Sequence, residues 1–160
     1  MSGRTVLALR IGFVILAAFN LYVGVWAVLA PEHWYNNFPG ADPRLVAAEP
    51  PFNKHLATDA GAGFLATGVI ALLAAIWLTS LVAKIALVGY LSHALPHFVY
   101  HVGNPAPGLT DAENVQNTAV LGIVVIVPVV MLLVLFGRFP LPWRARGGVE
   151  ASEETARSSY

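Results

Sequence analysis

Four stretches of this chain are apolar over a length that crosses a bilayer, and this constrains the fold more than any other feature. A helix rises ~1.5 Å per residue, so the hydrocarbon layer takes about 20 residues. The stretches cover about residues 11–30, 56–78, 84–101 and 114–137. The first is closed by Pro31 and the interfacial aromatics Trp34 and Tyr35, the fourth by Arg138 and Pro140. Arg4 and the tripeptide Val28-Leu29-Ala30 give the first stretch the outline of a signal peptide. Its apolar run is longer than the usual ~7–15 residues of such a segment, and we read it as a retained helix.

Composition supports lipid as the solvent. The chain is 57% hydrophobic and 11% charged, against ~25% charged residues in ordinary soluble domains. The expected fold is all-α: an integral membrane four-helix up-down bundle over residues 1–137. The tail over 138–160, Gly/Ser/Glu-rich from Gly147, is expected to be disordered and cytoplasmic. A net charge of zero, with no basic run, gives no footprint for nucleic acid. The absence of cysteine removes disulfides, iron–sulfur clusters and thiolate metal sites. The high share of Arg, Ala, Gly and Val suits a GC-rich bacterial proteome.

Orientation follows from the basic residues. With the N-terminus inside, Arg4, Arg10, Lys84, Arg138, Arg144, Arg146 and Arg157 are cytoplasmic, while only Arg44 and Lys54 lie outside. This positive-inside bias predicts both termini in the cytoplasm of a cell whose cytoplasmic membrane holds the chain. Residues 31–52 are then a Pro-rich outer loop, residues 102–112 a Gly/Pro turn on the same side, and Thr79-Ser80 a short inner link.

Polar residues within spans are costly, so they are the candidates for function. Span two opens with His55 and Asp59, four apart and on one helical side. Span three closes with His93, His97 and His101; counted from Lys84, His93 lies roughly 13 Å deep and His97 about 19 Å. Span four opens with Glu113, Asn114 and Asn117, and Asn20 sits near the middle of span one. Three helices therefore bring polar groups to the outer half. The expected ligand or proton site is His97, Asp59, His93, His55 and Asn117, with His97 central and Asp59 its counter-charge.

Each residue also has a plain structural role open to it. Thr110-x-x-Glu113 fits a capping box. His55 and His101 suit an interface in contact with water, and Asn117 can bond a neighbouring helix. Pro96 cannot donate to the Ser92 carbonyl one turn earlier, which frees that acceptor. The small ridge Asp59, Gly63, Thr67 lets a helix approach closely, bringing the carboxylate near a histidine of span three.

Three functions follow. A metal site would use His93, His97, Asp59 and Glu113 for zinc, iron or copper, or histidine for haem b. A metal-free site would relay protons or bind a lipid or quinone headgroup, with His33, Trp34 and Tyr35 of the outer loop covering the entrance. A non-catalytic accessory subunit, in a homo-oligomer or larger membrane complex, would use the small residues of span two (Ala60, Gly61, Ala62, Gly63, Ala66, Gly68, Ala71) against a partner helix.

The span layout over roughly residues 5–137, the run Asn53-Lys54-His55-Leu56-Ala57-Thr58-Asp59-Ala60-Gly61 opening span two, and the histidines ending span three resemble small four-helix bacterial membrane proteins of the DoxX-like kind. That resemblance implies association with redox or stress-related membrane systems. It carries over no functional residue.

Overall fold

The computed structural model describes residues 3–138; the expectation for the tail falls outside them. The described residues form five helices: α1 (Gly3–Leu29), α2 (Pro31–Asn37), α3 (Lys54–Ile76), α4 (Ser80–Gly103) and α5 (Asp111–Arg138). All but α2 are long and apolar enough to cross a membrane. Large apolar side chains such as Ile15, Leu29, Leu81, Ile85, Ile123 and Leu133 lie exposed along these four helices. A surface of this kind suits hydrocarbon and is unlike that of a soluble monomer.

The ends of the helices follow local chemistry. The Asn53 side chain accepts from the Leu56 N–H at 3.1 Å, and Thr79 accepts from the Val82 N–H at 3.2 Å. Each satisfies one of the free donors that open a helix. α1 starts eight residues before the apolar stretch read from sequence, because nothing in residues 3–10 breaks a helix where the hydrocarbon ends. The short α2 was not anticipated. It opens on Pro31, whose fixed φ and missing N–H suit a first helical position.

α1 packs chiefly on α3, and α4 on α5, with α3 against α4 joining the two pairs. The α1–α3 contact is made backbone to backbone. A Cβ on Gly24 would sit 2.5 Å from the Leu65 nitrogen, and one on Gly61 would sit 2.7 Å from Ala27 Cβ. Gly68 is pressed in the same way on Leu21. Of the small residues of α3 that suggested a partner helix, Gly61 and Gly68 are taken up by α1, Gly63 faces His93 of α4, and Ala62 and Ala66 are exposed.

Elsewhere the bundle core is filled by Phe13, Leu16, Leu87, Met131 and Leu135 toward one end. Lys84 is buried there, its Nζ lying 4.8 Å from the centre of the Phe136 ring, a cation–π contact. Toward the other end Trp34 and Phe38 of the α1–α3 connection pack on Val23, Ala27 and Ala57.

Gly24→Ala should push α1 from α3 and lower stability by about 1–3 kcal/mol, the usual cost of overpacking. Gly89→Ala, where a Cβ would meet open space, should be neutral or slightly stabilising, as expected for glycine in a helix. Thermal unfolding in mild detergent checks both, and equal midpoints for the two variants would contradict the close contact.

Candidate functional site

A cavity of about 490 Å³ lies at the bundle end formed by the C-terminal halves of α1 and α4 and the N-terminal halves of α3 and α5. Phe19, Asn20 and Val23 line it from α1, Ala60 and Phe64 from α3, Tyr90, His93, Ala94, His97 and His101 from α4, and Glu113 to Val124 from α5. Trp34 of α2 and the segment from Phe38 to Glu49 form its roof. The roof is held by backbone and side-chain hydrogen bonds. Gly108 N–H donates to the Ala48 carbonyl at 3.1 Å, and Arg44 donates to the Asn37 carbonyl at 2.9 Å.

The cavity floor is a buried polar node. Asn20, 2% exposed, donates to the Leu16 carbonyl at 2.8 Å and to the Tyr90 hydroxyl at 3.2 Å. The Thr67 hydroxyl donates to Asn20 Oδ1 at 3.0 Å. One amide thus ties α1, α3 and α4 together. Its groups are satisfied internally, as a polar cluster away from water requires.

The α4 histidines form a ladder on one wall. The centres of the His93 and His97 rings are 6.3 Å apart, and those of His97 and His101 are 5.0 Å apart. Phe64 packs edge-on against His93, with centres 4.9 Å apart. Gly63 makes room for the same imidazole: a Cβ there would lie 3.2 Å from His93 Cε1. The small ridge on α3 therefore admits a histidine, as its spacing suggested, but at Gly63 and away from Asp59.

His93, His97, Asn117 and Glu113 share the cavity, while His55 and Asp59 lie outside its lining. Those two pair with each other, His55 Nε2 to Asp59 Oδ2 at 3.3 Å, with side chains 83% and 60% exposed. Glu113 is occupied by capping. Its Oε2 accepts from the Thr110 N–H at 2.8 Å and from the Thr110 hydroxyl at 2.7 Å, while the Glu113 N–H donates back to Thr110 Oγ1 at 3.3 Å. The set His93, His97, Asp59 and Glu113 is therefore not gathered. Among the described residues no three His, Asp or Glu side chains are grouped to hold a metal ion.

Of the three loop residues expected to cover the entrance, only Trp34 lines the cavity. Tyr35 stacks on Phe52, and His33 accepts from Trp26 Nε1 at 2.9 Å on the exposed side.

Three buried polar atoms find no hydrogen-bond partner among the described residues: His93 Nε2, Trp34 Nε1 and Glu49 Oε1. All three residues line this one cavity. Buried polar groups are nearly always paired, so three orphans on residues of one cavity lining set this region apart from the satisfied node at Asn20. Sequence reasoning missed Glu49, whose signal is a lone carboxylate between Ala47-Ala48 and Pro50-Pro51. It also missed Phe64 and Tyr90, which read as ordinary span aromatics.

Because Asp59 stands apart from His93 and His97, Asp59→Ala should leave the iron, copper and zinc content of the purified protein unchanged. Stoichiometric metal lost in that variant would contradict the geometry. No family model, curated protein or solved structure matches the chain, and the likeness to DoxX-like proteins rests on the residues quoted for it alone.

Proposed function

We propose that the chain is a four-span protein of the bacterial cytoplasmic membrane, with both termini inside, that binds a small molecule without metal in the outer half of its bundle. The observation that carries this reading is that the three residues with an unpartnered buried polar atom, His93, Trp34 and Glu49, all line one cavity of about 490 Å³. The volume falls in the range of ordinary ligand sites, and the lining is mostly apolar with a few directed polar groups. His97, Asn117 and His101 widen the polar side. Asp59 and His55 take no part, and their exposed pair suits the membrane interface.

The basic-residue count supports the orientation: seven of the nine Lys and Arg fall on the inner side in this arrangement. The cavity ends of the helices are then the outer ones. The metal reading is weakened because Asp59 and Glu113 are engaged with His55 and Thr110, and His93 and His97, on successive turns of one helix, would suit a single histidine ligand to haem better than a pair. The accessory-subunit reading keeps the exposed Ala62 and Ala66 of α3 as a surface for a partner helix, while Gly61 and Gly68 are used by α1.

The test is extraction of the protein in native lipid discs, with mass spectrometry of the small molecules that come with it. One compound near stoichiometry in the wild type should fall about tenfold in the Trp34→Phe/His93→Leu double variant, given the worth of two buried hydrogen bonds. Equal recovery from both proteins would overturn the reading. Orientation is checked separately: green fluorescent protein fused at the C-terminus should fluoresce, whereas alkaline phosphatase fused there should be inactive.

A further inference from the structure

We infer that the ligand is a membrane-borne amphiphile with an uncharged, hydroxyl-bearing head, and that it enters sideways between α1 and α5. The inference rests on the ligand-binding reading above and deepens it.

The head follows from the three unpartnered atoms. An indole N–H only donates, a carboxylate oxygen only accepts, and an imidazole Nε2 does either according to its tautomer. An anionic head offers acceptors alone. It would leave Glu49 unpaired and facing like charge. An ammonium head offers donors alone and would leave the Trp34 N–H unpaired, although Trp34 is only 6% exposed. Each buried group left unpaired weakens binding by roughly tenfold. A hydroxyl, which donates and accepts at once, satisfies both. The cavity lining also contains Asp42, Glu49 and Glu113 but, among the described residues, no Lys or Arg, and Arg44 beside it is already paired with Asp42, so a phosphate or carboxylate would have to rely on the histidines.

The route follows from how α1 and α5 meet. Near one end they touch closely: a Cβ on Gly12 would lie 2.9 Å from the end of the Met131 side chain. Toward the other end they part around the cavity. Phe19 of α1 and Val120 of α5 both line it and are 44% and 52% exposed. This is the apolar edge of a mouth at the height of the hydrocarbon. Exposed Pro39 and Asp42, at the tip of the roof segment, also line the cavity and make its polar edge. An opening that is apolar below and polar above fits a molecule lying across the headgroup boundary, with its chain in lipid and its head against His93, Trp34 and Glu49.

The test uses membrane vesicles carrying the full chain with one reporter thiol, Ala94→Cys on the cavity wall, or Val124→Cys as a second position. The natural chain has no cysteine to interfere. Labelling by N-ethylmaleimide is timed with 1-monooleoylglycerol, decylhydroquinone, oleic acid, oleylamine or glycerol present. The expected result is that 1-monooleoylglycerol, decylhydroquinone or both slow labelling about fivefold or more, while oleic acid and oleylamine do not. Which of the two protects tells a glycerolipid source from an aromatic diol. Trp34→Phe should reduce that protection about fivefold, and Val120→Trp at the mouth should abolish it. Equal protection by all four amphiphiles, or the strongest protection by the acid or the amine, would overturn the assignment of the head. Protection by glycerol alone would overturn the lipid route and leave the binding reading standing. A thiol unreactive at both positions, with no co-purifying molecule, would overturn both.

Discussion

The contact between α1 and α3 is the constraint on which the remainder of the bundle depends. Gly24, Gly61 and Gly68 let the two backbones touch, which no larger side chain permits. Once α1 is drawn onto α3, Asn20 comes within reach of Thr67 and, across the bundle, of Tyr90. α1 meets α5 over only a short stretch. Met131 lies against Gly12 at one end; at the other end both helices line the cavity. Close packing on one side of a four-helix ring thus accompanies open space on the other.

Polar satisfaction then divides the buried groups into two kinds. Asn20, Thr67 and Tyr90 answer one another, while outside the buried core Thr110 with Glu113 closes the start of α5. These are structural, and they would be needed in any stable bundle in lipid. Trp34, Glu49 and His93 are left over. The division sorts these groups more sharply than burial does, since Asn20 is the most buried of them at 2% exposure and yet its amide is fully engaged.

The extent of the four long helices was legible because hydrocarbon thickness sets a minimum length that sequence displays directly. The caps at Asn53 and Thr79 and the Thr110–Glu113 box are local chemistry over three or four residues, and the box was readable in advance. The rotation of each helix about its own axis was not. In a soluble bundle the polar face marks the outside, but here lipid and core are both apolar, so Ile85 and Leu87 look alike in sequence although one is exposed and the other fully buried. For that reason Asp59 was assigned to the histidines of α4 when it faces outward with His55. Trp34 was readable as a cover of the site, but Glu49 was not, for a different reason: its place depends on how a connection of over twenty residues folds back, which no periodicity reports.

Asn114 shows how tightly these parts are joined. Its side chain accepts from the Ala106 N–H at 2.8 Å and donates to the Ala106 carbonyl at 3.2 Å, fixing the turn that leads into α5. Two residues further along that turn, Gly108 is bonded to Ala48 in the roof. α5 also lines the cavity. Cavity wall, turn and roof therefore form a single linkage, and on the proposed reading a molecule entering between α1 and α5 would also load one glycine–alanine hydrogen bond in the roof.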